Sequence, residues 1–256
     1  MNAEHSNPSG HWSWRRDAAV WAIVALALAV RMAYLADLRH TPFFNDPQMD
    51  ALYHDQWAKR IAAGDWAGGG VFFRAPLYPY FLGLLYALTG TDYLAVRLVQ
   101  FAIGAGTVLL TMVLGGRRFG RPAGLLAGLL VALHGPLVYF EGELLLVVLE
   151  VPLNLLTAWS LDRAIRGGGG RAWGVAGLWL GLAALVRPTV LAVWPVAAVY
   201  LLARRRLGGL RPAITYGAAI LATLSPVLIH NYAAGRDLVP VASQGGLNYF
   251  LGNNAA

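Results

Sequence analysis

Long apolar runs, separated by short arginine clusters, make up most of this chain. The runs cover residues 17–36, 95–115, 122–139, 144–161, 172–186, 189–203 and 212–229. Hydrophobic residues account for 57% of the sequence and charged residues for only 13%, whereas soluble domains contain roughly 45–50% and 25%. A soluble fold has too little interior to hide this much apolar surface, so several runs are predicted to be helices surrounded by lipid.

The basic residues lie between the apolar runs rather than along one face of a domain. The net charge of +7 would suit nucleic acid, but this distribution is typical of the cytoplasmic loops of membrane proteins. We therefore expect no nucleic-acid partner. The sequence also contains no cysteine, which excludes disulfides, thiolate metal sites and a cysteine nucleophile.

The arginine clusters predict how often the chain crosses the bilayer. The run Pro76–Gly90 is only 15 residues long, which is short for a span and favours an interfacial or re-entrant helix. If it does not span, 12 of the 20 basic residues face one side, in the clusters Arg15/Arg16, Arg117/Arg118/Arg121, Arg163/Arg166/Arg171 and Arg204/Arg205/Arg206/Arg211. This pattern predicts about seven transmembrane helices with the N-terminus in the cytoplasm.

The predicted organisation is a cytoplasmic segment over residues 1–16, a transmembrane module over 17–229 and the start of an outer loop over 230–256. Residues 37–94 form a large first outer loop. Ten of the 13 acidic residues lie on the predicted outer side or in the outer half of a span. This asymmetry favours an outward-facing polar site, although acids also collect outside simply because arginines collect inside.

An amphipathic helix is predicted within this loop, because apolar residues recur at helical spacing over 49–61. It would lie along the membrane surface. Asp46 and Pro47 resemble a helix start, an acid at the N-cap followed by proline. Asp50 and His54, one turn apart, would share the more polar side. Asp50 is too far into the helix to cap it, so a solvated acid and a functional carboxylate are both open.

Among the charged residues within or next to apolar runs, four are candidates for a paired or functional group. Arg74 precedes the short proline-containing run, where a cation can meet a phosphate. Arg187 separates two short runs, and we expect it near the outer edge with a partner, since a charge at the bilayer centre costs roughly 2.5–3.5 kcal/mol. Glu150 lies about 9 Å into its run. Arg31 is a candidate partner for Glu150, so a structural ion pair and a functional acid are both open.

Six segments resemble bacterial GT-C glycosyltransferases of family 39, the relatives of dolichyl-phosphate-mannose–protein mannosyltransferases and of lipid A aminoarabinose transferase. The segments are DALYHDQWAKRIAAGDW, FRAPLYPYFLGLLYALTG, AVRLVQ, FEGELLLVVLE, LGLAALVRPT and IHNYAAGRDLVPVASQGGLNYFLGNN. Their order and spacing carry the resemblance, which runs from about Arg31 to the last residue. Members of the family continue well beyond the corresponding point, so the resemblance implies a truncated chain.

The resemblance implies an all-α integral-membrane GT-C module that transfers a sugar from a polyprenyl-phosphate donor to an acceptor hydroxyl or amine, with inversion. The site would face the periplasm at the bacterial inner membrane. Asp50, which opens the first-loop helix, would be the catalytic residue, and Arg74 would contact the donor phosphate, although many relatives have lysine there. Arg187 is a second candidate for the phosphate. Supporting candidates are His54, Tyr78, Glu143, Glu150, His230 and Asn231.

The chemistry of such a donor limits what the site needs. A phosphate departs as an anion without a proton, so one carboxylate that accepts the acceptor's proton suffices, whereas glycosidases need two. No cofactor is indicated and a divalent metal is left open. Lipid, glycan and protein all remain candidate acceptors, in a setting of membrane lipids. The alternative is a transporter or flippase of lipid-linked saccharides, which more often shows the inverted repeats that this sequence lacks.

Overall fold

A computed structural model describes residues 13–203 and 210–253, and every regular element in these ranges is helical. The predicted all-α membrane fold is confirmed. The structure does not describe residues 1–12, 204–209 and 254–256. The predicted cytoplasmic arginines at positions 204–206 therefore lie outside the described residues. The helices are α1 (Ala18–Leu38), α2 (Met49–Ala62), α3 (Leu77–Thr89), α4 (Tyr93–Phe119), α5 (Arg121–Ala132), α6 (Gly135–Gly142), α7 (Val147–Ile165), α8 (Gly169–Ala184), α9 (Val193–Ala203), α10 (Leu210–Gly235) and α11 (Gln244–Asn253).

Three of the described helices, α1, α4 and α10, are long and apolar enough to cross a bilayer. A fourth span results if α5 and α6, which meet at 54°, are one broken segment. The number is below the predicted seven, partly because α8 and α9 have only 16 and 11 residues. At 1.5 Å per residue they reach about 24 and 16 Å, less than the roughly 30 Å of a hydrocarbon core.

The short helix α3 occupies the run predicted not to span. Its 13 residues reach about 20 Å, so it is too short to cross the bilayer alone. Leu82 and Tyr86 of α3 are buried in a cluster shared with α2 and the beginning of α4. Gly83 allows the close approach of α2, because a Cβ at this position would lie 2.7 Å from Cγ2 of Ile61. The first-loop helix is therefore packed against α3 rather than lying free.

A buried ion pair joins α1 to α6. The Nε and Nη2 atoms of Arg31 donate to the two carboxylate oxygens of Glu141 at 2.7 and 3.0 Å, and both side chains are buried. Gly104 of α4 leaves room for this carboxylate, because a Cβ there would collide with it. The hypothesis that Arg31 pairs with Glu150 is wrong, since Glu150 instead pairs with Arg187 at 3.2 Å.

The sidedness of the module is a prediction that cysteine labelling tests. Because the chain has no native cysteine, Arg118→Cys and Gly170→Cys are expected to react only from the cytoplasm. Gly69→Cys and Gly245→Cys should react from outside. All four positions are exposed, and a Cβ at any of the three glycines meets nothing within 4 Å. Labelling of position 118 from outside would mean that α3 spans the bilayer and that the predicted topology is inverted beyond it.

Candidate functional site

The first turn of α2 places Asp50 at the edge of the first loop. The helix begins at Met49, and its N-cap residue Gln48 makes no side-chain capping bond. The predicted helix start at Asp46 and Pro47 is therefore wrong by two residues. Met49 has a φ of 51°, a left-handed conformation that is uncommon for a residue with a side chain and unfavourable by about 1–3 kcal/mol. The residue directly before the candidate carboxylate therefore has an unfavourable backbone conformation.

Asp50 and Arg74, 24 residues apart in the chain, form an ion pair. Nη2 of Arg74 donates to Oδ1 of Asp50 at 2.6 Å, and the guanidinium lies 5.2 Å from the ring centre of Tyr53, within cation–π distance. The Asp50 side chain is 57% exposed and that of Arg74 is 20% exposed. The hydrogen bond from Arg74 holds the pKa of Asp50 below its usual value, so this carboxylate is ionised at neutral pH.

The guanidinium of Arg74 retains an unused donor. Its Nε–H is buried and has no hydrogen-bond partner in the described part of the chain. A buried donor without a partner is unfavourable by about 1–3 kcal/mol. The group is therefore arranged to bind a further acceptor, such as an anion that also displaces or shares the carboxylate of Asp50.

His54 lies behind Asp50 in the protein interior. The prediction that it shares the more polar side of α2 with Asp50 is wrong, because α3 covers this part of α2 and leaves His54 only 1% exposed. Its ring stands 5.1 Å from that of Tyr78, and neither ring nitrogen has a partner among the described residues. Burial lowers the pKa of His54 to about 4, so the imidazole is neutral. Tyr78 is itself anchored by donating to Oε1 of Gln100 at 2.7 Å.

Two adjacent residues of α10, His230 and Asn231, hold the segment that leads to Arg74. Asn231 is fully buried; its Oδ1 accepts from the Phe72 N–H at 3.0 Å, and its Nδ2 donates to two carbonyls of the segment after α10. The ring of His230 stacks on Phe72 at 4.2 Å, and its Nε2 lies 3.1 Å from the Gly70 carbonyl. These contacts fix the backbone two residues before Arg74.

Arg187 and Glu150, two further candidates, pair with each other. Their 3.2 Å ion pair joins α7 to the turn after α8, and half of the Arg187 side chain is exposed, 51%. Two residues earlier, the carbonyl of Leu185 accepts from the Leu77 N–H at 3.0 Å, which ties the end of α8 to the beginning of α3. Arg187 makes no ion pair with Asp50 within the described residues.

An open cleft of about 720 Å³ adjoins the exposed side of Asp50. Arg74 is not among its lining residues, and none of the lining residues is basic. Burial raises the pKa of one lining carboxylic acid, Glu143, which follows α6. The cleft combines three aromatic rings with three carboxyl groups, those of Tyr34, Phe43, Tyr139, Asp37, Asp50 and Glu143.

A second open groove, of about 430 Å³, is lined by residues that lie on both sides of Arg74 in the chain, Phe72 before it and Pro76 after it. Pro76, Leu77 and Tyr80 line it together with Pro226 and Val227 of α10. Its lining is apolar or aromatic apart from His230. Arg74 lines neither cavity, but Phe72 and Pro76, two residues to either side of it, line the groove, and its ion-pair partner Asp50 lines the first cleft.

Two buried polar residues on α4, Arg97 and Gln100, were not among the predicted site residues. Arg97 donates to the carbonyls of Gly142 and Phe44, both at 2.8 Å. Gln100, one turn later, donates to the Glu143 carbonyl at 2.8 Å. Together they fix the connection that carries Glu143 into the cleft. Their spacing could have identified them from the sequence, because two polar residues three apart on one face of an otherwise apolar helix indicate a polar contact inside a bundle.

No three histidine, aspartate or glutamate side chains are grouped as metal ligands in the part of the chain that the structure describes. The described residues therefore offer no preformed cluster of ligands for the divalent metal that the sequence left open. At the beginning of α2 one carboxylate and one guanidinium meet, those of Asp50 and Arg74. Their arrangement suits a ligand that is itself anionic and approaches from the Arg74 side.

The fold and the site together define a helical membrane protein with a charged site beside a first-loop helix. Residues 73–230 match the family described as dolichyl-phosphate-mannose-protein mannosyltransferase. This match covers more than half of the chain, so the protein belongs to that family, as the resemblance implied. The matched region contains Arg74, Glu150 and Arg187 and begins after α2. Comparisons with curated proteins and with solved structures returned no match.

Proposed function

We propose that this protein transfers a glycosyl group from a polyprenyl-phosphate donor to an acceptor hydroxyl or amine on the periplasmic face of the bacterial inner membrane. The observation that carries the proposal is the Asp50–Arg74 ion pair: Asp50 lines the first cleft, and residues on either side of Arg74 in the chain line an apolar groove. Family membership supports the reaction class. The contacts of the two residues support their division into a base and a phosphate ligand.

The donor phosphate is assigned to Arg74. A planar guanidinium with a buried, unpartnered Nε–H is suited to hydrogen-bond two phosphate oxygens. The polyprenyl chain would then extend into the apolar groove along Pro76, Leu77 and Tyr80. Arg187, which is half exposed and tied to Glu150, is the second phosphate ligand in this proposal.

Donor binding would also activate Asp50. In the absence of donor, the hydrogen bond from Arg74 lowers the pKa of this carboxylate and makes it a weak base. A phosphate that attracts the guanidinium weakens this hydrogen bond, so the pKa of Asp50 rises towards its ordinary value. The carboxylate then accepts the proton of the acceptor hydroxyl more readily. The acceptor would thus be activated only when the donor is in place.

The bonds change in one displacement. The acceptor oxygen or nitrogen attacks the anomeric carbon, and its proton passes to Asp50. The bond between that carbon and the phosphate oxygen breaks, with both electrons remaining on the departing polyprenyl phosphate, where Arg74 stabilises the charge. Because Asp50 lines the cleft and Arg74 does not, the proposal places the acceptor in the cleft and the phosphate at the guanidinium. A single displacement with this geometry inverts the anomeric configuration.

The cleft also constrains the acceptor. Aromatic rings offer flat apolar surfaces for sugar rings, and carboxylates accept hydrogen bonds from hydroxyl and amine groups. The lining contains no basic residue, so a phosphate or carboxylate on the acceptor would meet like charge. A neutral or amine-bearing, hydroxylated acceptor, on a lipid, glycan or protein, fits these walls best.

Most of the remaining candidate residues would act by holding other parts of the site in place. His54 and Tyr78 pack behind α2, whereas His230 and Asn231 fix the segment before Arg74. Glu143 would contribute a second carboxyl group to the acceptor cleft. Glu150 would hold Arg187.

The proposal is tested by following lipid-linked sugars in membranes with and without the gene. We expect the protein to consume a polyprenyl-phosphate sugar and release polyprenyl phosphate, both measured by mass spectrometry. Movement of intact lipid-linked sugar across the bilayer without release of polyprenyl phosphate would instead support the transporter alternative.

Arg74→Ala is expected to lower kcat/KM for the donor about tenfold or more, because a charge-assisted contact is worth roughly 1.5–3 kcal/mol. Arg74→Lys should retain part of the activity, since a point charge replaces the planar fork. In Arg74→Ala the acid limb of the kcat/KM profile should also move to higher pH. The reason is that Asp50 loses the hydrogen bond that lowers its pKa and needs a higher pH to ionise.

Arg60→Ala is the matched control, because Arg60 is an exposed cation on the same helix as Asp50. Lys59 is less suitable, since it pairs with the buried Asp55 at 2.7 Å. Equal losses of kcat/KM in Arg60→Ala and Arg74→Ala, with unchanged pH profiles, would contradict the phosphate assignment.

A further inference from the structure

A third cleft, of about 400 Å³, lies between the end of α7 and the beginning of α8. It is at the opposite end of α8 from Leu185, whose carbonyl contacts the beginning of α3. A helix of 16 residues separates the two ends by about 24 Å, most of the thickness of a hydrocarbon core. The cleft is therefore distinct from the site around Asp50 and Arg74. Its lining residues are Trp159, Ser160, Arg163, Gly168, Arg171, Ala172 and Val175.

The two arginines of this cleft differ from their neighbours in their ion pairs. Arg118 and Arg166 both lie within ion-pair distance of Asp162, at 3.8 and 3.0 Å. Arg163 and Arg171 have no carboxylate within this distance in the described ranges, and no acidic residue lines the cleft. The guanidinium of Arg163 instead lies 5.9 Å from the ring centre of Trp159. Two cations thus face one cavity to which the described part of the chain contributes no anion.

The surface of α8 next to the cleft is apolar and exposed. Val175 lines the cleft, and Leu178 follows one turn later on the same side of the helix; each is 44% exposed. Residues three apart lie on one helix face, so this surface leads from the arginines along α8 towards the membrane interior. A ligand with an anionic head and an apolar chain matches both parts, whereas a small inorganic anion uses only the first.

We propose that this cleft binds the headgroup phosphate of an anionic phospholipid. Arg163 and Arg171 donate to the phosphate oxygens, and an acyl chain lies along Val175 and Leu178. Basic pockets between transmembrane helices are suited to such headgroups. The bound lipid would hold the end of α7 against the beginning of α8, and the other ends of this pair of helices carry the Glu150–Arg187 contact.

The test is lipid binding to the purified protein by native mass spectrometry, with phosphatidylglycerol and phosphatidylcholine as probes. We expect phosphatidylglycerol to bind roughly 10- to 30-fold more tightly, as two arginines near a phosphate imply. The double variant Arg163→Ala/Arg171→Ala should lose this preference. The matched double variant Arg118→Ala/Arg166→Ala removes the same charge from the same side and should keep it.

Equal loss of the preference in both double variants would show a general basic surface and overturn the proposal.

A second measurement separates lipid from free phosphate. Phosphatidylglycerol should raise the midpoint of thermal unfolding of the wild-type protein, whereas inorganic phosphate at millimolar concentration should not. If inorganic phosphate raises it equally, the cleft is a simple anion site and the lipid assignment is wrong. Arg171→Gln, a single change at an exposed position, gives the same readouts if the double variant does not fold.

Discussion

Asp50→Asn is expected to reduce sugar transfer by at least about 100-fold, the usual contribution of a general base. Asparagine keeps the size of the side chain and can still accept the hydrogen bond that Arg74 donates at 2.6 Å. It cannot take the proton of the acceptor. The loss should therefore appear in kcat, while binding of the donor lipid and the yield of folded protein persist. Turnover is measured as release of polyprenyl phosphate.

Asp46→Asn is the control for this variant. Asp46 is an acid in the same loop, and its backbone carbonyl, not its carboxylate, accepts the bond from Gln48. The structure gives its side chain no role as a helix cap, so its replacement should leave turnover nearly unchanged. An inactive Asp46→Asn beside an active Asp50→Asn would mean that the wrong aspartate has been assigned.

Arg31→Ala is expected to lower the free energy of unfolding by about 3–5 kcal/mol, because it leaves the carboxylate of Glu141 buried without its partner. The two hydrogen bonds of this pair, at 2.7 and 3.0 Å, join α1 to α6. The midpoint of thermal unfolding in detergent should fall strongly, and the yield of membrane-inserted protein should fall with it. The double variant Arg31→Met/Glu141→Leu should recover much of the loss, since no unpaired charge remains.

The chain offers a control with nearly identical geometry. Arg121 donates to the two carboxylate oxygens of Asp17 at 2.6 and 3.0 Å, but half of its side chain is exposed. Exposed pairs contribute little because water and salt screen them. Arg121→Ala should shift the unfolding midpoint far less than Arg31→Ala. Equal shifts of the unfolding midpoint in the two variants would show that burial does not determine how much these ion pairs stabilise the fold.

Local patterns in the sequence predicted most of the secondary structure. The long apolar runs identified α1, α4 and α10, and the short proline-containing run identified α3 as too short to span. The helical spacing over 49–61 located α2 to within a few residues. The predicted start at Asp46 and Pro47 was wrong, because capping signals near a proline do not exclude a left-handed residue such as Met49.

Which charged residues pair with each other could not be predicted from the sequence. Arg31 had several acids within reach of a span, and the bend between α5 and α6 decides that Glu141 is its partner. Glu150 pairs with Arg187 because α7 and α8 pack side by side. Such choices depend on which helices are neighbours, and neighbours are set by packing over long separations along the chain.

Composition and hydropathy are enough to identify this chain as a helical membrane protein, because they fix which segments leave water. The sequence also supplied Asp50 and Arg74 as candidates through their resemblance to a family. Only the tertiary structure brought the two together across 24 residues and buried His54 beneath α3. The physical reason is that hydropathy is a local property of the chain, whereas an ion pair or a buried imidazole depends on which surfaces meet after the helices have packed.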